Sequence, residues 1–280
     1  MSRDLEASRP VVLVTGASSG IGRMTAIKFA SRGARVALLA RRENRLSEVA
    51  DEVSRAGGLP MVIVADVSNR FGVEHAVETV VKGWGRLDTL VNNAGFVVYG
   101  SVDECMVEDF ERQISVNYLG AVYATKAALP VMREQGSGSI INVSSLNGVI
   151  HIPFNSAYNA SKAALRAFSL TLRKELEGTR LSVSIISPGY TETEILKVMV
   201  KRGAIRKQVL FKALSPGEVA DVIVGCADSP CRERLMPFQL RPLAFTYSIF
   251  PRAIEAYLRS LNHVSDYKNR LRLFLKLNKE

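Results

Sequence analysis

The chain has 280 residues, long for one domain yet ordinary for a single α/β unit with an ample core. Hydrophobic residues make up 47% and charged residues 23%, the balance of a soluble globular protein. Residues 1–9 are polar and charged, and Val11-Val12-Leu13-Val14 is too short for a signal core or a membrane span. The formal charge of +10 is uneven. Residues 1–196 carry 21 Lys and Arg against 20 Asp and Glu, whereas residues 197–280 carry 16 against 7. Cys105, Cys226 and Cys231 are an odd number with no paired or metal spacing, and His75, His151 and His263 are scattered. A reduced, cytoplasmic chain without a metal is the expectation.

Val11 to Thr15 reads as a first strand, followed at once by Thr15-Gly16-Ala17-Ser18-Ser19-Gly20-Ile21-Gly22. A helical pattern through Met24, Ile27, Phe29 and Ala30 then runs to a stop at Gly33. Strand, glycine turn and helix are the context of a dinucleotide-binding turn: the glycines permit close backbone approach, and the helix N-terminus offers N–H groups to a pyrophosphate. A second strand, Arg35 to Leu39, ends in Ala40-Arg41-Arg42. An acidic residue there would hold a ribose 2′-hydroxyl, and none is present. Arg41 or Arg42 is placed instead to meet a 2′-phosphate, which favours NADP(H) and leaves NAD(H) as the alternative. Two arginines at a solvated helix start would be the plain reading, but the macrodipole disfavours cations in a first turn.

The alternation continues with a helix over 43–56, a strand 61–65 ending at Asp66-Val67, a helix over 70–83, and a strand 87–91 ending in Asn92-Asn93-Ala94-Gly95. Helical stretches at 104–113 and 115–134 precede a strand at 139–143. A helix then carries Tyr158 towards Gly178, and a strand at 181–186 closes on Pro188-Gly189. Strands and helices in alternation, with continuously apolar strands, give a doubly wound parallel sheet of Rossmann type covered on both faces. In such sheets ligands bind beyond the carboxyl ends of the strands, and Gly16, Arg41, Asp66, Asn93, Ser145 and Pro188 all fall there.

Tyr158 and Lys162 are four residues apart and share one helix face. A lysine cation beside the phenol would pull its pKa below the ordinary value of about 10 and make Tyr158 a proton donor and acceptor near neutral pH. Tyr-x-x-x-Lys alone is more often an aromatic under a solvated lysine, so the reading rests on the surrounding chain. Ser144 and Ser145 both stand at the end of the preceding strand, and alternation lets only one face the site.

Together these residues resemble the short-chain dehydrogenase/reductase family over about residues 10–230. The 15–22 turn is similar to the family's cofactor turn, and Asn92-Asn93-Ala94-Gly95 to its signature after the fourth strand. Asn117, Ser145, Tyr158 and Lys162 match the catalytic tetrad, the resemblance selecting Ser145 over Ser144. It also implies an adenine contact at Asp66 and Val67. The segment Pro188, Gly189, Thr191 and Thr193 would hold the nicotinamide carboxamide. The implied reaction moves hydride between NADP(H) and a carbonyl or secondary alcohol. Tyr158 exchanges the proton, Ser145 holds the oxygen, Lys162 contacts the ribose and lowers the Tyr158 pKa, and Asn117 positions a water leading to solvent. A homodimer through the helices at 115–134 and 156–177 is implied as well.

The catalytic unit is expected to span 1–235, with a substrate lid at 190–212, and 236–280 to be an apolar, then basic amphipathic, helical extension rather than a domain. The lid alternates Ile195, Leu196, Val198, Met199 and Val200 with Lys197, Lys201 and Arg202, which suits an apolar small-molecule substrate. A helix beginning at Ser215-Pro216-Gly217-Glu218 and a short strand at 235–237 follow. Leu240 to Leu261 is apolar but interrupted by Pro242 and Pro251, too broken to cross a bilayer. Val264, Tyr267, Leu271, Phe274 and Leu275 form a stripe among lysines and arginines that could touch an anionic membrane surface or pack on the protein. Two other readings remain: reduction of a 3-oxoacyl carrier, which the C-terminal departure weakens, and a non-catalytic cofactor-binding scaffold, which four matched tetrad positions argue against. No nucleic acid is expected, since no recognisable module accompanies the basic end.

Overall fold

The computed structural model describes residues 8–194 and 213–260, with side chains in the last helix as far as Ala256. The apolar and basic alternation within 195–212 and the stripe at 264–275 lie outside these residues.

Seven strands form one parallel sheet in the order β3-β2-β1-β4-β5-β6-β7. They are β1 (Val11–Thr15), β2 (Arg35–Ala40), β3 (Leu59–Val64), β4 (Thr89–Asn92), β5 (Gly138–Val143), β6 (Leu181–Pro188) and β7 (Arg234–Met236). Every residue of β1, β2 and β4 is buried, as continuous apolar strands covered on both faces must be. β3 lies at the edge, and its Val62 and Val64 reach solvent.

Alternation along β1 sorts the core into two layers. Val12 and Val14 face α1 (Gly20–Ala30), α2 (Glu43–Arg55) and α7 (Pro216–Asp228), in a layer with Phe29, Leu46, Val53, Val219 and Ile223. Val11 and Leu13 face α3 (Arg70–Trp84), α5 (Gly120–Gln135) and α6 (Ser156–Glu175), in a layer with Val77, Leu90, Met132, Ile140 and Leu172. Burying one such aliphatic side chain stabilises the fold by about 1.5–3 kcal/mol.

Local chemistry sets the helix ends. Ser215 and Glu218 form a reciprocal capping box at the start of α7, and Gly85 closes α3 in the left-handed conformation. Between α4 (Val107–Ile114) and α5 the helix widens into a π turn, Ser115–Leu119, where the sequence reading ran one helix straight through from 115. The short helix begins at Val107 and not 104, because Ser101 to Cys105 makes a tight turn in which Ser101 N–H donates to the Glu104 carboxylate. β4 begins at Thr89, two residues later than expected. Just before it the Asp88 backbone still bonds to Val11 and Ser139, while its carboxylate accepts the Val11 N–H at 2.7 Å and pairs with the guanidinium of Arg86.

The short strand β7 follows α7 and pairs with β6. Beyond it, Phe250 separates α8 (Leu240–Ile249) from α9 (Pro251–Ser260), which Pro251 opens. No helix among the described residues is long and apolar enough to cross a membrane.

β1 lies between β2 and β4, so the crossovers leave it in opposite directions and open a crevice beyond its carboxyl end. A cleft among the described residues occupies that crevice.

Candidate active site

The cleft, of about 460 Å³, runs along the carboxyl ends of the strands. It is lined by Gly16, Ser18, Ser19, Gly20 and Ile21 from the β1–α1 turn, Arg41 and Arg42 after β2, Asp66 and Val67 after β3, and Asn93, Ala94 and Gly95 after β4. Ser145, Tyr158, Lys162, Pro188, Gly189, Thr191 and Thr193 complete it. Of the residues singled out from sequence, only Gly22 and Asn117 stand behind the wall.

Gly22 is behind the wall because it supports the turn. A Cβ there would lie 2.3 Å from the Gly16 carbonyl oxygen and 2.5 Å from Asn93 Nδ2. Asn93 returns the support, donating from Nδ2 to the carbonyls of Thr15 at 2.9 Å and Gly16 at 3.4 Å. Thr15 locks β1 to β4 from the other direction. Its hydroxyl accepts the N–H groups of Asn93 and Ala94 and donates to the Val91 carbonyl. Gly16 has φ +67°, and a Cβ on it would strike Ala94. The result is a tight, pre-formed turn in front of the α1 N-terminus, where Ser19 makes no side-chain cap. The leading N–H groups of that helix are thereby left to the cleft.

The two arginines part company. Arg42 lies across the turn, donating to Ser18 Oγ at 3.1 Å and Ser19 Oγ at 2.9 Å, and its other Nη pairs with Glu194 at 3.2 Å. Arg41 reaches instead towards Asp66, with Nη1 3.5 Å from Oδ2. Burial alone would raise the Asp66 carboxyl, but hydrogen bonds from Ser68 and the Arg41 guanidinium outweigh it and hold the carboxyl below its usual value. Glu194, facing Arg42, carried no signal in the sequence. Its role depends on a loop that folds back more than 150 positions later.

At the far end Tyr158 and Lys162 occupy one face of α6, with Lys162 Nζ 5.9 Å from the Tyr158 ring centre. Ser145 Oγ accepts from Asn147 N–H at 3.1 Å and donates to the Pro188 carbonyl at 3.5 Å beside the Tyr158 phenol, while Ser144 turns away and donates to the Lys162 carbonyl at 3.0 Å. Alternation thus separates the two serines. One expectation is corrected here. The Tyr158 phenol is raised above its ordinary value, because burial of its hydroxyl outweighs the Ser145 hydrogen bond, and no lowering by Lys162 enters. Lys162 is itself buried, which lowers it to about 8, and its ammonium donates to the Val143 carbonyl at 2.8 Å. Lys162 thus stays mostly charged at neutral pH, but its ammonium is directed to the Val143 carbonyl rather than to the phenol oxygen.

Asn117 sits within the π turn, fully enclosed. Its amide accepts from Phe96 N–H and donates to the Phe96 carbonyl and to Ser161, each at 3.0 Å, so both of its amide protons are committed. Gly95 lies between this amide and Lys162: a Cβ there would be 3.2 Å from Asn117 Oδ1 and 3.4 Å from Lys162 Nζ. The cleft wall near Tyr158 is largely apolar, with Phe96, Val97, Leu146, Ile152 and Tyr190. Burial, then Tyr99, raises the Tyr190 phenol.

The cysteines depart from the sequence reading. Cys226 and Cys231, which showed no paired spacing, meet with their sulfurs 3.2 Å apart, because α7 ends at Asp228 and the chain doubles back into β7. Among the described residues no cluster of metal-ligand type occurs.

The model of the short chain dehydrogenase family matches residues 10–203. The chain belongs to that family. An oxidoreductase of Thermotoga maritima whose substrate its name leaves open is 40% identical over 205 residues, 73% of this chain and 81% of that protein. The NADP-dependent 3-hydroxy acid dehydrogenase of Shigella flexneri is 33% identical over 243 residues, 85% of this chain and 97% of its own. Among solved structures, levodione reductase superposes with a TM-score of 0.78 at 25% identity, covering 82% of this chain and 96% of that one. As a member of the family the protein is an oxidoreductase that works with a nicotinamide dinucleotide. The tight glycine turn, the open helix N-terminus and the guanidinium beside it suit such a molecule's phosphates.

Proposed function

We propose that the protein is an NADP(H)-dependent reductase or dehydrogenase of an apolar carbonyl or secondary alcohol. The observation that carries the reading is the juxtaposition of Ser145, Tyr158 and Lys162 in one cleft with Arg42 held against Ser18 and Ser19. Ser18, Ser19 and Arg42 together offer a 2′-phosphate two hydroxyls and a fork of charge-assisted donors, with Arg41 at the rim. The Shigella relative's NADP dependence points the same way. The bound nicotinamide would supply or take up the hydride.

The chain's own residues do the rest. The raised phenol keeps Tyr158 protonated at neutral pH, the form needed to give a proton to a carbonyl oxygen. Ser145 donates a hydrogen bond to the same oxygen and steadies charge as it develops there. Lys162, held against Val143 at a pKa of about 8, can release and regain a proton behind the tyrosine. Asn117 fixes the loop at Phe96, keeping Gly95 open in front of Lys162. Phe96, Val97, Leu146, Ile152 and Tyr190 exclude water and favour a greasy substrate. Asp66 and Val67 would flank the adenine, and Pro188, Gly189, Thr191 and Thr193 the carboxamide. Residues 1–235 would act as the catalytic unit with 190–212 as lid. Pairing through α5 and α6 would give a cytoplasmic homodimer, and the basic C-terminal sequence would suit an anionic membrane surface. Light scattering tests the dimer.

Fluorescence titration of NADPH against NADH on the wild type, Arg41→Ala and Arg42→Ala tests the cofactor. Charge-assisted hydrogen bonds contribute about 1.5–3 kcal/mol, so losing those of Arg42 should weaken NADPH by about 10-fold or more while leaving NADH nearly unchanged. Equal affinity for both cofactors in the wild type would remove the phosphate assignment. With a panel of apolar ketones, Tyr158→Phe should bind NADPH normally yet lose turnover; retained turnover would remove Tyr158 from the chemistry.

A further inference from the structure

On the opposite side of the sheet edge from the cleft, the chain leaves α7 at Asp228, turns through Ser229 and Pro230 and enters β7 at Arg234. This turn brings Cys226 and Cys231 to a sulfur–sulfur distance of 3.2 Å, with neither in a disulfide. We propose that Cys226 and Cys231 are a peroxide-sensitive dithiol that closes reversibly to a disulfide joining the end of α7 to the start of β7.

Three further features of the site support this. Cys226 is buried and Cys231 only half-buried, so an oxidant reaches one sulfur while the other waits behind it. The Cys231 backbone is fixed to the sheet, its N–H donating to Ser184 Oγ at 3.0 Å, so the sulfur is presented in one place. The hydrogen bond from the Cys226 thiol lowers the Cys231 pKa, with help from the Ser184 hydroxyl and the Arg234 guanidinium and against burial. The same contact and burial raise Cys226. The accessible sulfur is thus the one favoured as thiolate, the reactive form. The sulfurs need approach by only about 1 Å to reach the disulfide length of about 2.05 Å.

The chemistry balances with hydrogen peroxide as oxidant. The Cys231 thiolate attacks one peroxide oxygen, the O–O bond breaks, and hydroxide leaves to take up the proton that the thiol had released. The resulting sulfenic acid is attacked by the Cys226 sulfur. The S–S bond forms, the S–O bond breaks, and water leaves with the Cys226 proton. Two thiols lose two electrons, peroxide gains two, and two waters result. A dithiol reductant reverses the reaction by exchange.

Trypsin releases both cysteines in one peptide, residues 213–232, which makes the state directly readable by mass. The folded protein is treated with hydrogen peroxide, alkylated with iodoacetamide and digested. The expected peptide lacks two hydrogens and takes no alkyl group, and dithiothreitol before alkylation restores two sites. Without peroxide, Cys231 should alkylate about 10-fold faster than Cys226. In Cys226→Ser, peroxide should leave a sulfenic acid on Cys231 that dimedone traps. Circular dichroism checks that variant, with Cys226→Ala as the substitute if it is unfolded. A doubly alkylated peptide at peroxide doses that oxidise Cys105 would overturn the proposal. So would oxygen added to Cys231 of the wild type with no loss of two hydrogens.

Discussion

Lys162 offers the sharpest quantitative test. Its side chain is buried, and burial lowers its pKa from 10.5 to about 8. The sign follows from linkage. Between these values the unfolded chain holds a proton that the folded chain has released, so stability rises with pH. The gain is complete above pH 10.5 and lost as pH falls through 8, where the folded protein must enclose a charged ammonium. The shift corresponds to about 3 kcal/mol. Other groups titrate in the same window, so the measurement is a difference. Urea unfolding of the wild type and of Lys162→Met is followed by circular dichroism at intervals from pH 7 to 11. Methionine keeps most of the volume and removes the titration, and the donor lost to the Val143 carbonyl is a constant across the series. The wild type should gain about 3 kcal/mol relative to the variant on going from pH 7 to above 10.5. A flat difference would mean that water reaches the ammonium, and a difference of opposite sign would mean that an unrecognised anion pairs with it. Either would refute the argument from burial.

Glu194 competes for Arg42, so Glu194→Gln should tighten NADPH. The exposed pair contributes about 0.2–1 kcal/mol, a gain of a few-fold at most, readable by the same titration and absent for NADH. Gly22→Ala places a methyl group 2.3 Å from the Gly16 carbonyl oxygen, so the turn must move. A loss of about 1–3 kcal/mol in urea unfolding is expected, together with weakened binding of both cofactors. Glu233 accepts two hydrogen bonds from Arg166 Nε, one from its Nη2 and one from Ser187, with a carboxylate only 13% exposed. Glu233→Gln should cost about 1–3 kcal/mol in the same assay. An unchanged midpoint would show that the network is replaced by water.

Much of the fold was legible because it depends on local pattern. Continuous apolar runs such as Val11-Val12-Leu13-Val14 and Ser139-Ile140-Ile141-Asn142-Val143 specify buried parallel strands, and the glycine turn after the first marks the crevice. Boundaries were less legible where a side chain competes with the backbone, as Asp88 does for the Val11 N–H. The candidate site was visible as residue types at strand ends, and the cleft gathers them. Electrostatics was not visible. Spacing placed Tyr158 and Lys162 on one face, but burial, which only the folded chain creates, sets the direction of both pKa shifts. Nor could spacing pair Cys226 with Cys231, since five residues inside a helix would point the side chains apart, and only the turn after Asp228 reunites them.

The last strand has a consequence for synthesis. The N–H of Gly189, in the segment that flanks the cleft, donates to the Met236 carbonyl at 2.7 Å, and the side chain of Leu240 sits beside it. A nascent chain that has emerged through β6 already has six strands of the sheet, yet this segment lacks its acceptor until nearly fifty further residues leave the ribosome. Newly made molecules should therefore acquire a rigid core before a finished cleft, and ribosome-stalled chains ending before β7 should resist protease in the sheet while Gly189 to Thr193 remains open to cleavage.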